Sequence, residues 1–330
     1  MGATHYAFRL LFASAAVAAI HAEDTLVLVH KQADSVGIYD TAKGELLGSV
    51  AVGVKPHELV LSPDARLAFV TDYGVDSWTE TSPGGNTVSI VDLAQGQRIG
   101  VIDLGKHRRP HGIELGSKSG LLYVTCDLPP AVVVLDVAAR TVVRAISLNQ
   151  QLPHMLAVNR DETTLFVANS GSASITAVDL KQQSLKNVPI GGIPMGLALS
   201  PDGRRLYAVN RSGNALIEVD ATRCEVTRKL EIAGQPARVK VSPDGRQLLV
   251  STIESGEGVV VDLSSWSVVL RVPAGAHAEG IGFEPSGRAA YITAQGDDKV
   301  HKYALPHWNR VLSISTGKRP DTPAVFWRKK

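Results

Sequence analysis

Cysteine is scarce in this chain: Cys126 and Cys224 are the only two in 330 residues. No Cys-x-x-Cys occurs, so a thioredoxin-like redox motif, a thiolate zinc knuckle and haem attachment through Cys-x-x-Cys-His are all excluded. A Gly-x-Ser-x-Gly elbow and a Gly-rich phosphate loop are also missing, which leaves serine-hydrolase and P-loop chemistry without a motif. No stretch of useful length carries helical periodicity, and aromatics make up only 5% of the chain. An excess of one charge is lacking too. Lys and Arg number 34 against 32 Asp and Glu, a net +2 that gives no global reason to invoke nucleic acid. Long apolar runs are confined to Leu10–Ile20, which follows Arg9 and precedes His21-Ala22 and the acidic Glu23-Asp24. That run is too short to span a bilayer and has the layout of a secretory signal peptide over residues 1–22, cleaved after Ala22. A periplasmic or secreted protein with no transmembrane segment is expected.

What the chain has in quantity is repetition. Aligned copies run PHELVLSPDARLAFVTD from Pro56, PHGIELGSKSGLLYVTC from Pro110, PHMLAVNRDETTLFVAN from Pro153, PMGLALSPDGRRLYAVN from Pro194 and PARVKVSPDGRQLLVST from Pro236. A degenerate AEGIGFEPSGRAAYITA starts at Ala278, and a truncated PDTPAVFW starts at Pro320. Successive starts are 54, 43, 41, 42, 42 and 42 residues apart, so one insertion in the first unit accounts for the only departure from the period. Each unit alternates apolar runs with turns such as Ser200-Pro201-Asp202-Gly203, where proline presets φ and glycine tolerates a positive φ. Four short strands per unit at this period predict an all-β fold, a seven-bladed β-propeller of four-stranded antiparallel blades. The last blade is expected to combine one C-terminal strand, Ala324–Trp327, with three N-terminal ones, Thr25–Val29, Val36–Tyr39 and Glu45–Ala51. Such closure pins the ends and hides sheet edges, and a monomer is expected.

Phrases such as Phe69-Val70-Thr71-Asp72, Tyr123-Val124-Thr125-Cys126, Phe166-Val167-Ala168-Asn169 and Tyr207-Ala208-Val209-Asn210 resemble the YVTN family of β-propeller repeats. The resemblance spans essentially the whole chain after the signal peptide. It implies the propeller fold but no single activity. Proteins with these repeats include periplasmic and surface-layer propellers, a DNA-binding periplasmic propeller, the lactonases and the haem d1 domain of nitrite reductase. Within that fold Cys126 falls at the end of a second strand and Cys224 in an outer turn two units away, which is too far apart for a disulfide.

The residue after the repeat's proline begins the innermost strand of each blade and faces the central channel. Around the ring it is His57, His111, His154, Met195, Ala237, Glu279 and Asp321. Only ten histidines exist in the chain, so three at adjacent equivalent positions form the strongest functional signal. The same face is expected to carry Asp72, Asp127, Asn169, Asn210 and Arg211, the insertion Tyr73 to Asn86 with Asp76, Trp78 and Glu80, and the basic connectors Lys55, Lys106, His107, Arg108, Arg109, His277, Lys318 and Arg319. A basic rim over imidazoles favours an anionic ligand. By contrast Asp92, Asp136, Asp179, Asp220 and Asp262 recur in nearly every unit and are assigned to turns, while His30, His301 and His307 are assigned to packing or surface.

Three uses of the histidines stay open beside a purely structural one, in which each imidazole bonds neighbouring backbone. His57, His111 and His154, with Glu58 or Glu279, could hold copper or zinc, although Met195 and Ala237 break the ring. His57, His111, His154 and Glu279 are also candidates for acid–base catalysis, as in lyases or lactonase-like propellers, with Arg109 or Arg238 anchoring a carboxylate. The third use is binding of a small anionic ligand or a protein partner, for which Arg109, Arg238, Asp321, Asp72 and Trp78 are candidates. Nothing in the sequence demands turnover, so binding takes precedence.

Overall fold

The computed structural model describes residues 24–327; the expected signal peptide lies outside them. The described chain is seven four-stranded antiparallel sheets and one short 3₁₀ turn, Gln295–Asp297. Inner strands begin at Pro56, Arg108, Pro153, Pro194, Pro236, Ala278 and Pro320. The blades that they open are called blades one to seven below. In blade seven the C-terminal strand Pro320–Trp327 pairs with Asp24–His30, which continues into Ser35–Asp40 and Leu46–Ala51, so the two ends of the described chain close the ring.

The core lies between blades. Alternate residues of a strand point to opposite faces, and both faces of the inner three strands are covered by neighbours. Leu26 and Leu28 therefore pack against Tyr291 of blade six, whereas Val27 and Val29 pack against Val70 of blade one. Seven such clusters fill the seven inter-blade gaps, one per neighbouring pair. The outermost strands are largely exposed, as in Thr141–Ser147, where Ile146 alone is buried. The recurrent aspartates cap the outer turns as assigned: Asp179 Oδ1 accepts the Lys181 and Gln182 amides, and Asp220 Oδ1 those of Thr222 and Arg223.

One irregularity recurs at the axis. Each of the first six inner strands breaks register just after the residue that opens the sequence repeat, as between Pro56 and Leu59 or Pro110 and Ile113. This bulge turns the second and third repeat residues toward the channel. The third-position amide is accepted by a hydroxyl on the neighbouring strand: Glu58 by Thr71, Gly112 by Thr125, Arg238 by Ser251 and Gly280 by Thr293. Three of those hydroxyls also donate to the next blade, to the carbonyls of His111, His154 and Glu279.

The third position alternates bulk with glycine: Glu58, Gly112, Met155, Gly196, Arg238, Gly280, Thr322. A Cβ on Gly280 would lie 2.1 Å from the Asp321 carbonyl oxygen, and one on Gly112 would lie 2.6 Å from that of His154. We therefore expect Gly280→Ala to cost about 1–3 kcal/mol in chemical denaturation, because only backbone could yield. Gly48→Ala, where a Cβ meets nothing within 4 Å, should leave the midpoint nearly unchanged.

Candidate functional site

Bulge and bridge together set His57, His111 and His154 in a row. The His57 and His111 ring centroids are 4.0 Å apart and those of His111 and His154 are 3.9 Å apart, with tilts of 42° and 38°. All three are buried, and no hydrogen bond satisfies their Nδ1 atoms. Burial and neighbouring cationic groups hold His111 and His154 well below the ordinary histidine range, so both are neutral at pH 7.

The insertion roofs this row. Tyr73 stands edge-on to His57 at 5.5 Å and to His111 at 5.3 Å, and its hydroxyl donates to Asp127 Oδ2 at 2.8 Å. Trp78 stands edge-on to His154 at 6.1 Å. Arg109 is what holds the loop. Its guanidinium donates to the Trp78 carbonyl at 3.1 Å and to the carbonyls of Glu80 and Ser82. Arg109 was expected to bind ligand, but these contacts turn it away from the channel. Asp72, also expected at the mouth, is buried in the blade, where it accepts from the Gly53 amide and the Thr87 and Ser89 hydroxyls. Both residues satisfy groups of the fold, and neither lines the cavity.

Arg238 and Asp321 lie one layer below the histidines. Arg238 crosses the channel to Glu58 at 2.7 Å and approaches Glu279 at 3.3 Å and Asp321 at 3.8 Å. Glu58 also accepts from the Thr322 hydroxyl. Burial would raise Glu58, but Arg238 and His57 outweigh it and hold the carboxyl well below the carboxylate range. Asp321, fully buried with its Oδ2 3.2 Å from His57 Nδ1, is instead pushed up by burial against the pull of His57. This ionic layer floors the cavity.

The cavity above it measures about 160 Å³. Of the anticipated residues it is lined by His57, His111, His154, Met195, Asp76, Trp78, Glu279, Arg211, His277 and Arg319. Lys31, Tyr73, Ile253 and Gln295 join them. These four share a position with Asp127, Ser170 and Arg211, the residue just after the four-letter motif in each blade, so a second ring surrounds the first. The wall strands enter through left-handed residues: Lys55, Arg109, Leu152, Gln235, His277 and Arg319 have φ between 49° and 58°. That conformation costs a non-glycine residue about 1–2 kcal/mol. Hydrogen bonds from the Lys55, Gln235 and Arg319 amides to Asp34, Asn214 and Asp298 side chains help to offset it.

For a metal, His57, Glu58 and His111 offer ligand atoms within 4.8 Å of one another, and His154 is outside that set. Glu58 fits poorly as a ligand because Arg238 and Thr322 take its oxygens. His111 fits, being buried with no hydrogen bond at Nδ1, whereas His57 Nδ1 already lies 3.2 Å from Asp321 Oδ2.

Comparisons with known proteins bear on the fold. No protein-family model matches the chain, and no curated protein matches it. Solved structures do. A functionally unknown protein from Desulfotomaculum acetoxidans superposes with a TM-score of 0.76 at 13% identity, covering 92% of this chain and 99% of that one. The periplasmic gluconolactonase of Pseudomonas aeruginosa gives 0.75 at 20% identity over 92% and 99%. The dihydro-haem d1 dehydrogenase NirN gives 0.67 at 13% over 91% and 74%. At these identities the likeness is one of fold.

Asp127 supplies a pH test of the roof. Burial pushes its carboxyl up to about 7, opposed by the Tyr73 hydrogen bond and Arg109. The unfolded chain loses that proton near pH 4, so this group's contribution to stability falls as pH rises from about 4 to 7. Asp127→Asn keeps an acceptor for Tyr73 and removes the term. Urea unfolding should show the variant gaining up to about 4 kcal/mol on the native protein between those pH values.

Proposed function

We propose that this is an exported YVTN-type propeller, acting as a monomer, whose central cavity binds a small organic anion. The carrying observation is the unbalanced charge of the lining. Lys31, Arg211 and Arg319 face the cavity, whereas its carboxylates are engaged, Asp76 with Lys55 at 3.2 Å and Glu279 with Arg238. Neutral imidazoles then supply hydrogen bonds without adding charge. A volume near that of a benzene-sized cavity suits a ligand of about six heavy atoms and is small for a tetrapyrrole or a protein loop. Export is supported by the Arg9 and Leu10–Ile20 segment and by the periplasmic gluconolactonase that shares the fold. Calorimetric titration with lactate, pyruvate and inorganic phosphate tests the reading. A carboxylate should bind, and Arg211→Gln with Arg319→Gln should weaken it at least tenfold, about 1.4 kcal/mol. If none of the three ligands binds, or if the double variant binds unchanged, the proposal fails.

The buried His111 Nδ1, which has no hydrogen-bond partner, and the nearness of His57 favour a second reading, a copper or zinc ion bound there. Elemental analysis after dialysis against Cu²⁺ or Zn²⁺ should then find about one ion per chain, lost in His57→Ala/His111→Ala at unchanged melting temperature. Retention of metal by that variant rules the site out.

A further inference from the structure

Lys31 differs from every other cation around the cavity. Lys55 pairs with Asp76, Arg238 with Glu58, Arg211 donates to Gln235 and Arg319 lies 3.5 Å from Gln295. Lys31 is only 6% exposed and lines the cavity, yet its ammonium makes no hydrogen bond or ion pair with any described side chain. The strand Asp24–His30 delivers it to the second ring, where its backbone amide is fixed on the Arg319 carbonyl at 3.0 Å. Burial lowers its pKa, Asp321 and Glu279 work against that, and Arg319 and Arg238 add to it. A lysine both desolvated and flanked by guanidinium groups holds more free amine at neutral pH, which is how amine nucleophiles are activated.

We propose that Lys31 forms an imine with the carbonyl of a small 2-oxo carboxylate seated in this cavity. The inference rests on the anion-binding reading above, since Arg211 and Arg319 are the groups that would hold the carboxylate. The Lys31 nitrogen attacks the carbonyl carbon to give a carbinolamine. A carbon–nitrogen double bond then replaces the carbon–oxygen bond, and the carbonyl oxygen leaves as water with the two amine hydrogens. No oxidant or cofactor is needed. The cavity volume limits the partner to a chain of a few carbons.

Trapping with pyruvate and cyanoborohydride, followed by peptide mass spectrometry of the full chain, tests this. Reduction should label the Lys31 peptide at least tenfold faster than any exposed lysine peptide, and Lys31→Arg should lose that label. Lactate, which has no reactive carbonyl, should bind the native chain and leave Lys31 unlabelled. Pyruvate binding with no preferential label at Lys31 overturns the imine alone. Failure of both pyruvate and lactate to bind overturns it together with the anion reading.

Discussion

The propeller's axis depends on a hydroxyl that serves two blades at once. Bulging the inner strand frees a backbone amide in the driest part of the ring, and an amide left unpaired there costs as much as a lost hydrogen bond. Thr71 and Thr125 accept those amides and pass their own protons to the carbonyls of His111 and His154. Neighbouring inner strands are thereby fixed in height, and the two imidazoles inherit their position from the preceding blade. Ala168 and Val209, which stand where those threonines stand, precede Met195 and Ala237, the two positions on which the ring of ionisable groups breaks.

Seven side chains cannot share one level of so narrow a channel, and the glycines of alternate blades make the room. The space goes to Arg238, which reaches across to Glu58 from the opposite side. A guanidinium buried this deeply requires carboxylates, and Glu58, Glu279 and Asp321 supply them. Its charge acts upward as well. Together with burial it keeps His154 unprotonated, so the ionic floor and that imidazole form one electrostatic unit.

Blade number, closure and the first ring were legible because each follows from the repeat alone. The places of Arg109 and Asp72 outside the cavity lining were not legible, because they depend on nearby groups that lack other partners. The insertion's carbonyls claim one and a connector amide with two hydroxyls the other. The second ring was legible in principle, one residue past the four-letter motif, and Arg211 was found there. Lys31 escaped because its strand belongs to the blade assembled from both termini, where no Ser-Pro-Asp-Gly turn precedes the motif.

The insertion decides what the asymmetry means. A fold that repeats seven times offers seven equivalent surfaces, yet the extra residues sit only in blade one, where their two aromatic rings cover the three histidines and Trp78 also packs against the cluster that holds Met195. The roof buries the imidazoles on one side while they line the cavity on the other. On the uncovered side stand Lys31, Arg211 and Arg319, whose charge the lining does not balance. A scaffold that needed histidine only for packing would have no reason to desolvate it on one side and gather unmatched cations on the other. An anion bound as proposed would supply the charge that this lining leaves unmatched.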